Sequence, residues 1–384
     1  MASFVPGSTP ADAGASSPAT AALAGVGPSG VGLGSSSSKS SEPSQGKKPS
    51  LASLSSSSAP GAEAWDPLHP GNLNDRIPTV ECRKRIRRDM RSLQEDPLPS
   101  IFCVRDETYL TVLHALITGP FETPYEGGFF WFVLNCPDDY PNRPPKVKLM
   151  TTGGGAVRFN PNLYANGKVC LSILGTWSGP GWSPVQSLSS VLLSIQSLMN
   201  PKPYHNEPGY EVAKDHRAVD KYNDYIQYQT LRVAVYDMVK NQLGPESCMP
   251  EALKFIVRNL FPSMYDGFVI TCDTCIGRGF DGTALHDPFS RPQHDTMQYC
   301  KLKELIVELK LQCDRDDEEQ DALDEQAQGA TARSATSGAE EAGLAAASQS
   351  PAPVEPHSPS SSLFTNVPAA AGAEESGASN SNTG

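Results

Sequence analysis

The chain has 384 residues and a net charge of −12, nearly all of it in the tail, where residues 314–384 hold thirteen acids against two arginines. Residues 76–313 are left near neutrality, at about +1, so bulk charge argues against a nucleic-acid partner. The strongest apolar run, Phe129 to Leu134, is far short of the roughly 18 residues a membrane-spanning helix needs, and no basic-then-apolar leader opens the chain.

Residues 1–75 are Ser, Gly, Ala and Pro with few large apolar groups, too few to offset the entropy of ordering. They are expected to be disordered, as is the acidic tail 314–384. The nine cysteines are odd in number and lack the spacing of a disulfide framework, which fits a reduced protein of the cytoplasm and nucleus. No fixed internal period appears.

Pro78 opens a helix at a position where its missing N–H costs little. Val80, Arg83, Lys84, Arg87, Arg88 and Arg91 form one side and Ile86, Met90 and Leu93 the other; Pro97 and Pro99 end it. Strand-like segments follow at Ile101 to Val104, Tyr109 to Ile117, Phe129 to Leu134 and Val147 to Met150, predicting a four-stranded antiparallel meander. The segment 151–184 is dense in Gly, Pro and Asn, yet Phe159, Leu163, Leu171, Ile173 and Leu174 argue for order, and a long irregular stretch in a compact domain is commonly functional. Helices are predicted over Val185 to Met199, Asp220 to Asn241 and Pro250 to Leu260. A last amphipathic helix is marked by Leu302, Leu305, Ile306 and Leu309.

Four motifs in order carry a resemblance. They are Gly119-Pro120-Phe121-Glu122-Thr123-Pro124-Tyr125-Glu126-Gly127-Gly128, Asp139-Tyr140-Pro141 with Pro144-Pro145-Lys146-Val147, Asn160-Pro161-Asn162 eight residues before Cys170-Leu171, and Trp182-Ser183-Pro184 before a helix. This order resembles the ubiquitin-conjugating enzymes, and within them a large class with a C-terminal extension. The resemblance implies an α+β fold of the UBC type: an N-terminal helix, a four-stranded antiparallel meander, an active-site loop and C-terminal helices. It divides the chain into a disordered front (1–75), a catalytic core (76–220), a helical extension packed on the core (221–313) and the tail (314–384).

It also implies the chemistry. Cys170 is the thioester nucleophile, a role that needs a thiolate and an accessible sulfur. Asn162 either donates to the oxyanion of the tetrahedral intermediate or holds the loop. Around them stand Asn160, where the family has His, Trp177 in a slightly enlarged loop, Trp182, and His205. The acid often found beside the cysteine is replaced at His205 or Asn206, with Glu207 as a possible substitute. Arg83, Lys84, Arg87 and Arg88 correspond to the face that docks the activating enzyme. Asn142, Arg143, Pro184 and Val185 correspond to the loops that ligases grip. The implied partners are ubiquitin or a modifier of two tandem ubiquitin folds, an activating enzyme of the alternative type, ligases and protein substrates, met by a monomer. No bound cofactor is implied, since ATP is used by the activating enzyme.

Two rival classes remain. A catalytically silent ubiquitin-binding module of the same fold would lack a cysteine in register, and a cysteine hydrolase would need a base and its own signature. Cys272 and Cys275, with His286, His294 and Cys300 downstream, lack the second tight ligand pair of a zinc site, so no metal is expected.

Overall fold

The computed structural model describes residues 51, 64–73, 77–212, 216–244, 246–290 and 295–346. Helix α1 spans Val80–Glu95 and begins where the Thr79 hydroxyl accepts the Cys82 N–H at 3.1 Å. Strands β1 (Ile101–Arg105), β2 (Val112–Thr118), β3 (Phe129–Asn135) and β4 (Lys146–Leu149) pair antiparallel in the order β1-β2-β3-β4. The predicted meander is therefore present. Its second strand starts three residues later than expected, because Asp106 Oδ1 accepts the N–H groups of Thr108 and Tyr109, each at 2.8 Å, and turns the chain there.

Helix α2 (Leu188–Leu198) starts at a reciprocal capping box between Ser187 and Ser190, not at Val185. Helix α3 (His216–Gln229) continues through a π-helical segment, Thr230–Asp237, into α4 (Met238–Gln242). Helix α5 (Glu251–Gly277) passes the predicted end at Leu260 and carries Pro262 inside it. A buried stripe of Leu253, Val257, Phe261, Phe268, Cys272 and Cys275 runs along it on both sides of the proline and offsets the lost backbone bond. Helix α6 spans Tyr299–Ala346.

Every residue of β2 and β3 is buried, so both faces of the sheet are covered. One face carries Cys103, Ala115 and Phe132 and meets α1, with Cys103 Sγ 3.8 Å from Met90 Sδ. The other carries His114, Val133 and Lys148. There the segment 64–73 lies across the sheet. Asp66 accepts from Lys148 Nζ at 2.5 Å, the Asn135 amide donates to the Asn72 carbonyl at 2.8 Å, and Leu68 is fully buried. Met238 of α4 reaches Thr151 beside the same sheet.

Two boundaries move as a result. Residues 64–73, assigned from composition to the disordered front, are packed, because Trp65, Asp66 and Leu68 supply the anchors that their Ser-rich surroundings lack. The helix α6 also runs past 313 into the acidic tail. The remainder of both disorder expectations lies outside the described residues. Cys272 and Cys275 are buried within α5, and among the described residues no group of three or more His, Cys, Asp or Glu side chains is placed to hold a metal ion. His294 lies outside them. No described helix is long and apolar enough to cross a membrane.

His114 is fully buried between Trp131, whose Nε1–H donates to its Nδ1 at 3.2 Å, and Asp106 at 2.9 Å from its Nε2. Burial pushes the Asp106 carboxyl up, but the His114, Tyr109 and Thr108 hydrogen bonds outweigh it and hold the group below the ordinary range. A depressed carboxyl stabilises the fold above its unfolded pKa, and that stability is lost as pH falls through the folded value. Denaturant melts should therefore show a steeper loss of stability below about pH 4 in the wild type than in Asp106→Asn. Equal slopes would remove Asp106 as a source of acid sensitivity.

Candidate active site

The irregular segment after β4 is shaped by backbone bonds. Leu149 N–H donates to the Gly167 carbonyl, and Leu163 forms isolated bridges with Asn160 and Val169. Gly167 has φ +88°, and a Cβ there would stand 2.5 Å from the Leu149 oxygen, so this tight return requires glycine.

Cys170 follows on this return and is bracketed by Asn162. Its N–H donates to the Asn162 carbonyl, and the Asn162 Nδ2 donates to its carbonyl, each at 2.9 Å. Asn160 is fully buried and holds Asn162 in turn, since its Oδ1 accepts the Asn162 N–H at 2.9 Å. Its Nδ2 donates to the Tyr125 hydroxyl at 2.9 Å and to the Leu198 carbonyl at 2.8 Å. The Asn206 amide donates to Asn160 Oδ1 and to Leu198 O, at 3.2 and 3.0 Å. Asn160 therefore ties the cysteine turn to the hairpin, to α2 and to the 203–206 turn.

The Thr176 hydroxyl donates to the Val169 carbonyl at 2.6 Å and accepts the Leu171 N–H at 3.0 Å, folding the enlarged loop back onto the cysteine segment. Trp177 in that loop is exposed. Trp182 Nε1 donates to the Pro141 carbonyl at 2.6 Å and joins the loops that carry Asn142, Arg143, Pro184 and Val185, all four exposed. Arg143 is held by Asp138 and Asp139 at 2.7 and 2.8 Å. On α1, Lys84, Arg87 and Arg88 are exposed and Arg83 is half-buried.

Two expectations change. The sulfur is not freely accessible: Cys170 is 2 % exposed. Burial pushes the thiol up, against the nearby Tyr164 hydroxyl and the charges of Lys168 and Arg158. Nor is Glu207 a free base, because Arg158 donates to its Oε2 at 3.2 Å. His205 is turned to the Tyr210 carbonyl, 2.7 Å from Nδ1, so Nδ1 carries the proton in that bond.

Sequence reasoning missed Tyr164 and Arg158. For Arg158 a signal existed, since it is the sole charge between Met150 and Gly167.

A family model described as ubiquitin-conjugating enzyme matches residues 85–230. Ubiquitin-conjugating enzyme E2 Z of Homo sapiens is 51% identical over 225 residues, covering 59% of this chain and 62% of the human protein. Its Xenopus tropicalis counterpart is 49% identical over 245 residues, 62% of this chain and 76% of the frog protein. The human protein named dual E2 ubiquitin-conjugating enzyme/E3 ubiquitin-protein ligase BIRC6 is 40% identical over 194 residues, 47% of this chain and 4% of its own length. The matched part thus spans somewhat under two thirds of the human E2 Z. Fold, family match and relatives agree, and this chain belongs to the ubiquitin-conjugating enzyme family.

Proposed function

We propose that Cys170 accepts ubiquitin from an activating enzyme as a thioester and passes it to a substrate lysine or a ligase. The observation that carries this reading is the double bracket of Cys170 by Asn162, which presents one thiol on a rigid turn. In the first step the thiolate attacks the thioester carbonyl. A new C–S bond forms, the oxyanion collapses, and the activating enzyme's thiolate leaves. In the second a lysine amine attacks, gives up its proton and expels the Cys170 thiolate. Asn162 Nδ2 rests on the Cys170 carbonyl, which favours the loop-holding role in the resting state; donation to an oxyanion requires that bond to break. With Glu207 paired to Arg158, it is not free to take the lysine proton; desolvation lowers the pKa of the lysine ammonium, which gives its proton to solvent.

The exposed Lys84, Arg87 and Arg88 make the basic face that docks the activating enzyme, and the exposed loops at 142–143 and 184–185 meet ligases. In the same proposal an activating enzyme of the alternative type is the donor and a tandem ubiquitin-like modifier is a second cargo. The nine free cysteines support a reducing compartment, the cytoplasm and nucleus, where the chain would work as a monomer. A catalytically silent module is the alternative, favoured only by the burial of the thiol.

The test is a charging assay. The chain is mixed with ATP, ubiquitin or the tandem modifier, and each type of activating enzyme in turn. A reductant-sensitive band of added modifier mass is expected. Its absence with both enzymes sinks the carrier reading.

A further inference from the structure

We propose that Arg158 is a positioning residue for the Cys170 thiol and that Phe289 of the C-terminal extension holds it in place. This deepens the carrier reading and rests on it for its biological meaning.

The Arg158 side chain is 16% exposed in a loop with no other charge nearby in sequence. Its guanidinium makes three contacts of different origin. One nitrogen donates to the Pro161 carbonyl at 2.6 Å, on the turn that precedes Asn162, and to Glu207 Oε2 at 3.2 Å. The other donates to the Phe289 carbonyl at 3.0 Å. The plane lies 4.6 Å over the Tyr164 ring and 5.7 Å over that of Phe289. Tyr164 in turn anchors the return that leads to Cys170, its N–H donating to the Lys168 carbonyl at 3.0 Å. A planar fork clamped at both nitrogens and stacked on two rings has one geometry, which a lysine cannot reproduce.

Phe289 is itself fixed. Its N–H donates to Asp287 Oδ1 at 2.9 Å, and its ring packs 5.3 Å from Tyr204, 5.5 Å from Tyr210 and 5.2 Å from Tyr222. The loop after α5 is thereby wedged against the 203–206 turn and α3. The extension thus reaches the turn that carries Cys170 through Phe289 and Arg158, whose guanidinium holds the Pro161 carbonyl and covers the Tyr164 ring.

The charged and titratable groups around the thiol are Tyr164, Lys168 and Arg158. Glu207 acts on it through Arg158 and Tyr164, and His205 is engaged by Tyr210. Removing the Arg158 charge therefore leaves burial less opposed.

The experiment is the pH profile of iodoacetamide alkylation at Cys170, read by mass spectrometry of the peptide that carries it. Only the thiolate reacts, so the midpoint reports the thiol's ionisation. In Arg158→Met the midpoint should rise, lowering the thiolate fraction at neutral pH. Arg158→Lys, which keeps the charge but not the fork, should recover only part of that shift. Phe289→Leu keeps apolar bulk but loses the stacked ring, and should move the midpoint the same way by less. The double variant Arg158→Met/Phe289→Leu should go no further than Arg158→Met alone, since both act through one group. Coincident profiles for wild type and Arg158→Met would overturn the proposal, as would two single shifts that simply add. Should Arg158→Met fail to fold, an unshifted Phe289→Leu overturns it instead. Alkylation needs neither modifier nor activating enzyme. A chain that never charges but shows these shifts would refute the carrier reading and leave the role of Arg158 standing.

Discussion

Cys170→Ala should abolish the modifier adduct, while Cys170→Ser should form it slowly and in a form that survives reductant. The serine oxygen replaces the sulfur with little change of shape, and the bracket by Asn162 uses only the backbone of residue 170, so the turn persists. The hydroxyl is a far weaker nucleophile at neutral pH, so formation should fall by about a thousandfold or more. The ester that does form resists thiols but yields to alkali. Exposure makes the contrast informative. Cys300 is exposed and reaches solvent more easily than Cys170, which is 2 % exposed. A carrier chosen by access alone would be Cys300. If a reductant-sensitive band persists in Cys170→Ala, the cargo sits on another thiol and the site described above is misassigned. If it vanishes, the bracketed turn, not exposure, selects the reacting sulfur, and charging must include a movement that uncovers it.

The parts of this fold legible in the sequence are those with local causes. Pro78 places the start of α1 two residues early, before the Thr79 cap, strand-like runs mark the meander, and the spacing of Asn160, Asn162 and Cys170 marks the candidate site. Contacts between distant segments were not legible. The sole charge in the 150–167 loop is visible as Arg158, but nothing local says that its partners are Glu207 and Phe289. Composition places Trp65 and Leu68 in a low-complexity front, yet two anchors and one buried ion pair are enough to lay residues 64–73 across the sheet. The third case is α1. Its apolar stripe reads as Ile86, Met90 and Leu93, whereas the buried residues are Cys82, Arg85, Ile86, Asp89 and Met90. An ion pair occupies two core positions that a hydrophobic pattern passes over.

That pair supports the second large expected effect. Arg85 Nε donates to Asp89 Oδ1 at 2.7 Å, with the side chains 8% and 4% exposed. Arg85 also donates to the Pro184 carbonyl at 2.7 Å and to the Gln186 carbonyl. Asp89 Oδ2 accepts the Tyr140 hydroxyl at 2.6 Å and the Leu188 N–H at 3.4 Å. One ion pair thus joins α1, the proline-rich turn, the loop at 184–186 and the start of α2. Asp89→Ala leaves a buried guanidinium without its counter-ion and a buried phenol without an acceptor, at a cost of about 3–5 kcal/mol in unfolding free energy. The double variant Arg85→Met/Asp89→Leu removes both charges together, and should recover much of that loss because no buried charge is then left alone. Its folding would still leave the Pro184 and Gln186 carbonyls without their donor, so the loop at 184–186 should loosen. Faster amide hydrogen exchange over 184–188 in the double variant, beside near-recovered stability in urea melts, is the expected combination. Stability losses that add in the double variant would mean that the two side chains act independently, and that the loop is held by Trp182 and the Ser187 cap instead.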